Sequence, residues 1–426
     1  MKTIRKQVLL ATSGAITLWA SPAIAQETST TTGTATQGTA TKDVPADVEQ
    51  STTYLDLTGS LGFSSNPLIR TVDSQSSFLG RASARAVHAW QGERSATSIS
   101  GFVEGTTYFN NYGFESIFSL NGHTSYQTSE TVTVYGSAGV SGDLSGQLSN
   151  RFLYVPPLPE VPDTNIPPPP PTVENPDIFD FAGRSYHLYA QGGASFQTST
   201  RSHIGLNAGV SRTMYSSSLL DEYTNVYGSG SYSLTLSELT TIGATLGVSR
   251  TEYDNSSDHA TTITPAATIR TQLSETWDLS GSVGVTFASV DRGLTDDSSA
   301  SLSLQGALCN TTESDRFCAR VDRYSAASAN STLITTTSVG IDWFKKLDAV
   351  QSIQLSASAV HYTDEVLNTN RKNNYFRLAA SYSRVINDRL SGGVDLGARS
   401  VHREGIDPDT DITGTVFVRY RIGDLG

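Results

Sequence analysis

The chain has 426 residues, only 16% of them charged, and a net charge of −12. A chain this acidic is a poor match for nucleic acid, which demands basic patches. Charged residues fall below the roughly 25% usual in soluble proteins, yet long apolar segments are missing and Ser, Thr and Gly dominate.

The chain opens MKTIRKQVLLATSGAITLWASPAIAQ. Lys2, Arg5 and Lys6 form a basic stretch, Val8 to Ala20 a short apolar one, and Ala23-Ile24-Ala25 a small-x-small cleavage site. Residues 1–25 are therefore expected to be a signal peptide, too short to span a bilayer as a helix. No Cys follows the site, so a lipid anchor is not expected. Cleavage removes three basic residues and no acidic one, and −12 becomes −15. Residues 26–50 (TSTTTGTATQGTATK and neighbours) read as a disordered linker by composition.

From about Tyr54 the hydrophobic period is two. In TWDLSGSVGVTFASV, Trp277, Leu279, Val283, Val285 and Phe287 share one face, and Asp278, Ser280, Ser282 and Thr286 the other. SIQLSASAV and TGTVFVRYRIG repeat the pattern, which marks strands with one apolar face. Very short connections (QTSET, TSTRS, LSELT, LSETW, KKLDAV, RVINDRL) alternate with longer polar ones (RGLTDDSS, TDEVLNTNRKNN, HREGIDPDTD). In outer-membrane barrels the short turns are periplasmic and the long loops external, so this alternation assigns the sides. Counting predicts an all-β, transmembrane, antiparallel up-and-down barrel over residues 51–426, of about eighteen strands with sixteen also compatible. The first strand falls near 54–64, one late hairpin near 299–308 and 317–325, and the last strand near 412–423. A β-sandwich would need a second buried face that these strands lack.

Residues 146–183 form a different kind of loop and hold ten of the fifteen prolines, five in a row, so they cannot join a sheet. They could constrict a pore, display a binding surface, or be a tolerated insertion. Aromatic residues near predicted strand ends read as interface girdles: Trp277 and Trp343 on the periplasmic side, and Tyr215, Tyr223, Tyr253, Tyr362 and Tyr375 on the other.

Cys309 and Cys318 are the only cysteines and flank a tight connection between two predicted strands. In an exported chain such an isolated pair is expected to oxidise to a structural disulfide. No nucleophile elbow, zinc-protease helix or phosphate-binding loop is present. The histidines (His88, His123, His187, His203, His259, His361 and His402) are scattered without metal spacing, so neither metal nor cofactor is expected. A Ser/His/Asp group assembled between strands remains the least supported alternative. Period two points Arg81, Arg85, Arg320, Arg377, Arg399, Arg419 and Arg421 inward, with Glu104, Asp278, Asp342 and Asp395. These pore-lining candidates could face one another across the lumen as a transverse field or brace the wall as salt bridges.

The signal peptide, the Ser/Thr/Gly-rich strands, the hairpin SLSLQGALCNTTESDRFCARVDRYSAAS and its continuation STLITTTSVGIDWFKKLD resemble the type-2 outer-membrane β-barrel porins of alphaproteobacteria. The resemblance covers most of residues 50–423 at the level of pattern. It implies a role linked to polysaccharide export. The chain departs from outer-membrane barrels that end on an aromatic residue, since Tyr420 is the last aromatic and RIGDLG follows it. The expected function is an outer-membrane channel of a Gram-negative bacterium passing small polar solutes or an acidic glycan. A plugged barrel whose external loops bind a partner is the alternative, and a barrel-embedded hydrolase ranks below it. Outer-membrane lipid, lipopolysaccharide, the barrel-assembly machinery and a polysaccharide substrate are the expected partners.

Overall fold

The structure, a computed structural model, describes residues 50–67, 69, 75–110, 112–143, 184–217, 220–254, 256–292, 296–327, 332–366, 369–403 and 409–424. The expected signal peptide, nearly all of the linker and the proline-rich loop lie outside them.

Eighteen strands follow one another: β1 (Gln50–Ser64), β2 (Ser77–Gln91), β3 (Ser95–Tyr108), β4 (Gly113–Ser129), β5 (Val132–Asp143), β6 (Ser185–Ser199), β7 (Ser202–Tyr215), β8 (Tyr223–Ser237) and β9 (Thr240–Tyr253). The second half comprises β10 (His259–Gln272), β11 (Trp277–Asp291), β12 (Asp296–Thr311), β13 (Asp315–Ala327), β14 (Leu333–Lys346), β15 (Gln351–Val366), β16 (Thr369–Asn387), β17 (Leu390–Arg403) and β18 (Asp409–Gly423). Each strand pairs antiparallel with the next, and β1 pairs with β18 from Tyr54↔Gly423 to Ser64↔Thr413, closing the sheet into a barrel. Closure leaves no sheet edge with unpaired backbone groups, the condition for strands to sit in hydrocarbon. The late hairpin extends three residues beyond the expected start of β12 and two beyond the expected end of β13. The extra residues, Asp296 to Ser298 and Ala326 and Ala327, carry no alternating hydrophobic pattern, and their pairing follows from register.

Alternation decides which way each side chain points. Leu61, Leu378, Leu396 and Val416 are 67%, 59%, 57% and 60% exposed, whereas their polar neighbours Ser64, Thr415 and Arg399 are buried. Apolar residues outside and polar residues inside is the inverse of a soluble protein and the arrangement of a transmembrane barrel. The apolar band has a charged upper edge on β7 and β9. Above outward Val210 comes Arg212, which pairs with Glu222 and Asp254, and above outward Val248 comes Arg250, paired with Glu252. Trp277 and Trp343 keep the outward parity at the tight-turn ends.

The tyrosines expected at the opposite lipid interface do not lie there. Tyr215, Tyr253, Tyr362 and Tyr375 are buried, and Tyr223 packs on Tyr253 with ring centroids 6.0 Å apart. Parity explains this, because Tyr362 shares its face with Ser356 and Ser358, and Tyr375 shares its face with Arg377. Position near a strand end favours an aromatic ring, but period two decides which side it serves.

The carboxyl end is tied back to the wall. Gly423 has a φ of 103°, a backbone region open chiefly to glycine. That turn lets the Asp424 amide donate to the Thr53 carbonyl while the Thr53 amide donates to the Asp424 carboxylate. Residues 421–424 thus complete the β18–β1 seam.

Candidate functional site

Charged side chains on the inner face gather on six adjoining strands, from β16 through β18 and β1 to β3. Arg81 (β2) and Glu104 (β3) meet at 3.3 Å. Arg421 (β18) donates from Nε and Nη2 to the two carboxylate oxygens of Asp56 (β1), at 2.7 and 2.9 Å. The Arg421 guanidinium also lies 4.3 Å from the centroid of the Tyr54 ring. Arg399 (β17) donates from Nε to Asp411 (β18) at 3.0 Å, and this pair is 6% and 0% exposed. Arg85 is the cross-strand partner of Asp56, and Arg419 that of Thr58. A recess in the same wall is lined by Arg81, Arg377, Asp395 and Arg399 with Gln354 and Ser381. Asp395 accepts a hydrogen bond from Ser381 at 2.6 Å.

Three candidates stand apart. Arg320 (β13) and Asp342 (β14) pair at 3.0 Å, three and two strands from Arg377 on β16. Asp278 on β11 is the cross-strand partner of Cys309. Cys309 and Cys318 are disulfide-bonded, directly opposite in the β12–β13 register, with Cα atoms 4.1 Å apart. The bridge faces inward near the tight turn of that hairpin.

Acidic and basic groups therefore sit side by side on the β16–β3 wall, while Asp278 on β11 lies nine strands from Arg81 and Arg85 on β2, on the opposite side of the ring. Between the two sequence readings, bracing salt bridges describe Arg81, Arg320, Arg399 and Arg421. The inner positions of β6 to β9 carry no Lys, Arg, Asp or Glu. They hold Gln191, Asn207, Asn225, Ser229 and runs of Ser, Thr and Gly, with Tyr189 and Tyr227 laid along the wall. Tyr227 donates to the Gln191 side-chain oxygen at 3.1 Å, and Tyr189 to Asn121 at 3.3 Å.

Two residues of the charged wall escape the sequence reading. Asp411 lies in what reads as the polar loop HREGIDPDTD, and only the register with Arg399 reveals it as a strand residue. Asp56 was open to discovery, because Leu55, Leu57 and Leu61 set an outward parity that turns it inward.

Asp411 also fixes the connection after β1. Its Oδ1 accepts from the Ser64 and Ser65 hydroxyls at 2.7 and 3.3 Å and from the Asn66 amide at 2.9 Å. Arg399 Nη2 donates to the Pro67 carbonyl. Beyond these contacts Ile69 is buried in a cluster with Ile334, Val360, Tyr362, Tyr375 and Val401, inner-wall residues of β14 to β17. Residues 65–67 and 69 thus lie against the inner wall at the barrel mouth. A second apolar cluster, Leu79, Tyr108 and Tyr112, lines the same mouth. The alternation rule has its limit here, where inward positions become apolar because a loop covers them.

The histidine rings contact Thr53 (His88), Thr213 (His187) and Asn374 (His361). Among the described residues no group of three or more His, Cys, Asp or Glu could hold a metal.

No family model matches this chain, and no curated protein matches it. Solved structures similar to it include a BenF-like porin from Pseudomonas fluorescens Pf-5, with 7% identity over 88% of this chain and 99% of that one and a TM-score of 0.48. OccK11 (OpdR) of Pseudomonas aeruginosa shares 9% identity over 88% and 96%, with a TM-score of 0.42. The FrpB iron transporter of Neisseria meningitidis, in its F5-1 apoprotein form, shares 9% over 86% and 81%, with a TM-score of 0.46. Likeness this distant carries no functional weight, and the fold rests on strand order and register.

Proposed function

We propose that this chain is an outer-membrane channel through which small polar solutes pass without chemical change. One observation carries the reading: a closed barrel of eighteen strands with an apolar outer band and a hydroxyl-rich, charge-bearing inner face. Eighteen strands are enough to leave an aqueous lumen unless loops fill it. Purified, refolded protein in planar bilayers should give discrete conductance steps. Folded protein that never conducts would end the channel reading.

The plugged-barrel alternative also has an observation behind it, the entry of the β1–β2 connection into the mouth through Ile69. A plugged barrel stays silent in bilayers and conducts once Asp411 is replaced and that connection loosens. A channel conducts before and after. An acidic glycan as solute, with a link to polysaccharide export, is a finer proposal resting on the family resemblance. A deletion strain with unaltered surface polysaccharide would remove it.

The placement across the membrane follows from turn lengths. Epitope tags near Thr410 or Thr369 should be reached by antibody on intact cells, and a tag near Asp348 should not. The opposite pattern would invert the barrel.

A further inference from the structure

The Asp56–Arg421 pair leaves neighbouring cations unanswered. Arg421 takes both oxygens of Asp56, so Arg85, the cross-strand partner of Asp56 on the other side, receives neither. One Arg85 terminal nitrogen, Nη2, is buried without a hydrogen-bond acceptor, and so is the hydroxyl of Tyr54, itself 8% exposed. Arg419 stands one pleat away, with the Phe417 ring 5.9 Å from its guanidinium and no carboxylate partner among the described residues. Of the carboxylates nearby, Glu104 pairs with Arg81 and Asp411 with Arg399, while Asp395 accepts from Ser381 and stands opposite Thr415, four residues along β18 from Arg419. Thr58 and Ser83, partners of one another, fill the inward positions between Arg419 and Arg85 with hydroxyls. Three guanidinium groups around Asp56, with Asp395 the next carboxylate along the wall, leave a local excess of positive charge on a low-dielectric surface, which concentrates anions. A buried charged donor with no acceptor costs free energy until one arrives.

The geometry points to a binding site for a small oxyanion on the inner wall of β18, β1 and β2, formed by Arg85, Arg419 and the Tyr54 hydroxyl beside the Asp56–Arg421 brace. Its ligand class is a carboxylate or phosphate group, the shape guanidinium groups grip through paired hydrogen bonds. Under the channel reading, on which this inference rests, the site would be a station for anionic solutes. Asp56 orients Arg421 and keeps the cluster from repelling itself apart.

The test uses full-length protein refolded in detergent free of lipopolysaccharide, titrated with inorganic phosphate and with acetate. Binding is followed by phosphorus line width and acetate saturation transfer, and selectivity by reversal potential in a potassium chloride gradient. The pair Arg85→Gln and Arg419→Gln should weaken phosphate binding about tenfold or more, equivalent to about 1.4 kcal/mol, and shift reversal toward cations. Arg85→Lys with Arg419→Lys keeps the charge but not the paired hydrogen bonds, so it should hold the reversal potential near wild type and weaken phosphate binding less than the Gln pair, which controls for misfolding. Tyr54→Phe should weaken binding several-fold without moving the reversal potential much. Undiminished phosphate and acetate binding in the folded double Gln variant would overturn the site and leave the channel reading intact. Binding lost in that variant, with wild type never conducting, would keep the site and overturn the channel reading.

Discussion

Between β6 and β9 the inward side chains are hydroxyls, amides, glycines, tyrosines and two histidines, His187 and His203. Between β16 and β3 they include arginines and carboxylates, with Arg81, Arg399 and Arg421 joined in pairs and Arg85 and Arg419 left over. Both walls obey the same period-two alternation and carry the same apolar exterior, so the difference lies wholly in residue choice at inward positions. The neutral wall is held by shape: Tyr135 reaches over Gly193, Tyr189 over Gly139, and Tyr227 over Gly209, where a Cβ would collide with the ring. The charged wall is held by ion pairs, and its pairs also fix the barrel seam and the connection at its mouth. An inner wall can thus be made rigid by packing or by charge, and only the second leaves a field for solutes to feel.

The sharpest break is at Asp411. It is fully buried, it answers Arg399, and it accepts three further hydrogen bonds from Ser64, Ser65 and Asn66. Removing one partner of such a pair strands a buried charge, at a cost of about 3–5 kcal/mol. Asp411→Ala should lower the urea unfolding midpoint accordingly, while Arg399→Met with Asp411→Leu should recover much of the loss. A single variant within about 1 kcal/mol of wild type would mean that the pair does not hold the mouth.

On the neutral wall the equivalent break is steric. A Cβ at Gly193 would collide with the Leu206 carbonyl and the Tyr135 ring, whereas nothing lies within 4 Å of one at Gly59. Gly193→Ala should therefore cost about 1–3 kcal/mol, the usual range for overpacking, and Gly59→Ala far less. Equal unfolding midpoints for the two variants would refute the packing account of this wall.

The strand count, the closure and the outward stripe were legible because period two is a local property repeated eighteen times. The inward direction of Arg81, Arg399 and Arg421 was legible for the same reason. What each arginine faces was not, since Arg421 finds Asp56 across 365 residues of chain and pairing across a seam leaves no local trace. The tyrosines at the mouth were misread because position near a strand end was allowed to outrank parity. The only sequence signal for burial after β1 is the apolar run Pro67-Leu68-Ile69, with Val72 shortly after it.

A smaller effect separates two kinds of charged pair. Arg320 and Asp342 resemble Arg399 and Asp411 in length of contact, but Asp342 is 39% exposed. Water screens such a pair, and its net worth is about 0–1 kcal/mol. Asp342→Asn should barely move the unfolding midpoint measured beside Asp411→Ala. A loss as large as that of Asp411→Ala would show that the inner wall near β13 and β14 is as dry as the seam.

The smallest stability effect, and the most informative about solute path, comes from charging the neutral wall. Ser229 points inward on β8 between Asn207 and Gly247 and is exposed to the lumen. Ser229→Asp replaces one polar group by another at a position without close packing, so its cost should be within about 0.5 kcal/mol. No charged side chain on the inward face of β6 to β9 can neutralise it. Its field should therefore reach any ion passing within a Debye length, about 8 Å at physiological salt, and move the reversal potential toward cations. The shift should shrink as salt rises, because screening shortens that reach. The two walls can then be compared directly, Ser229→Asp on one and Arg419→Gln on the other. Similar shifts would place ions near the barrel axis. A shift from Arg419→Gln alone would confine them to the charged wall, with the neutral wall left as a packed support.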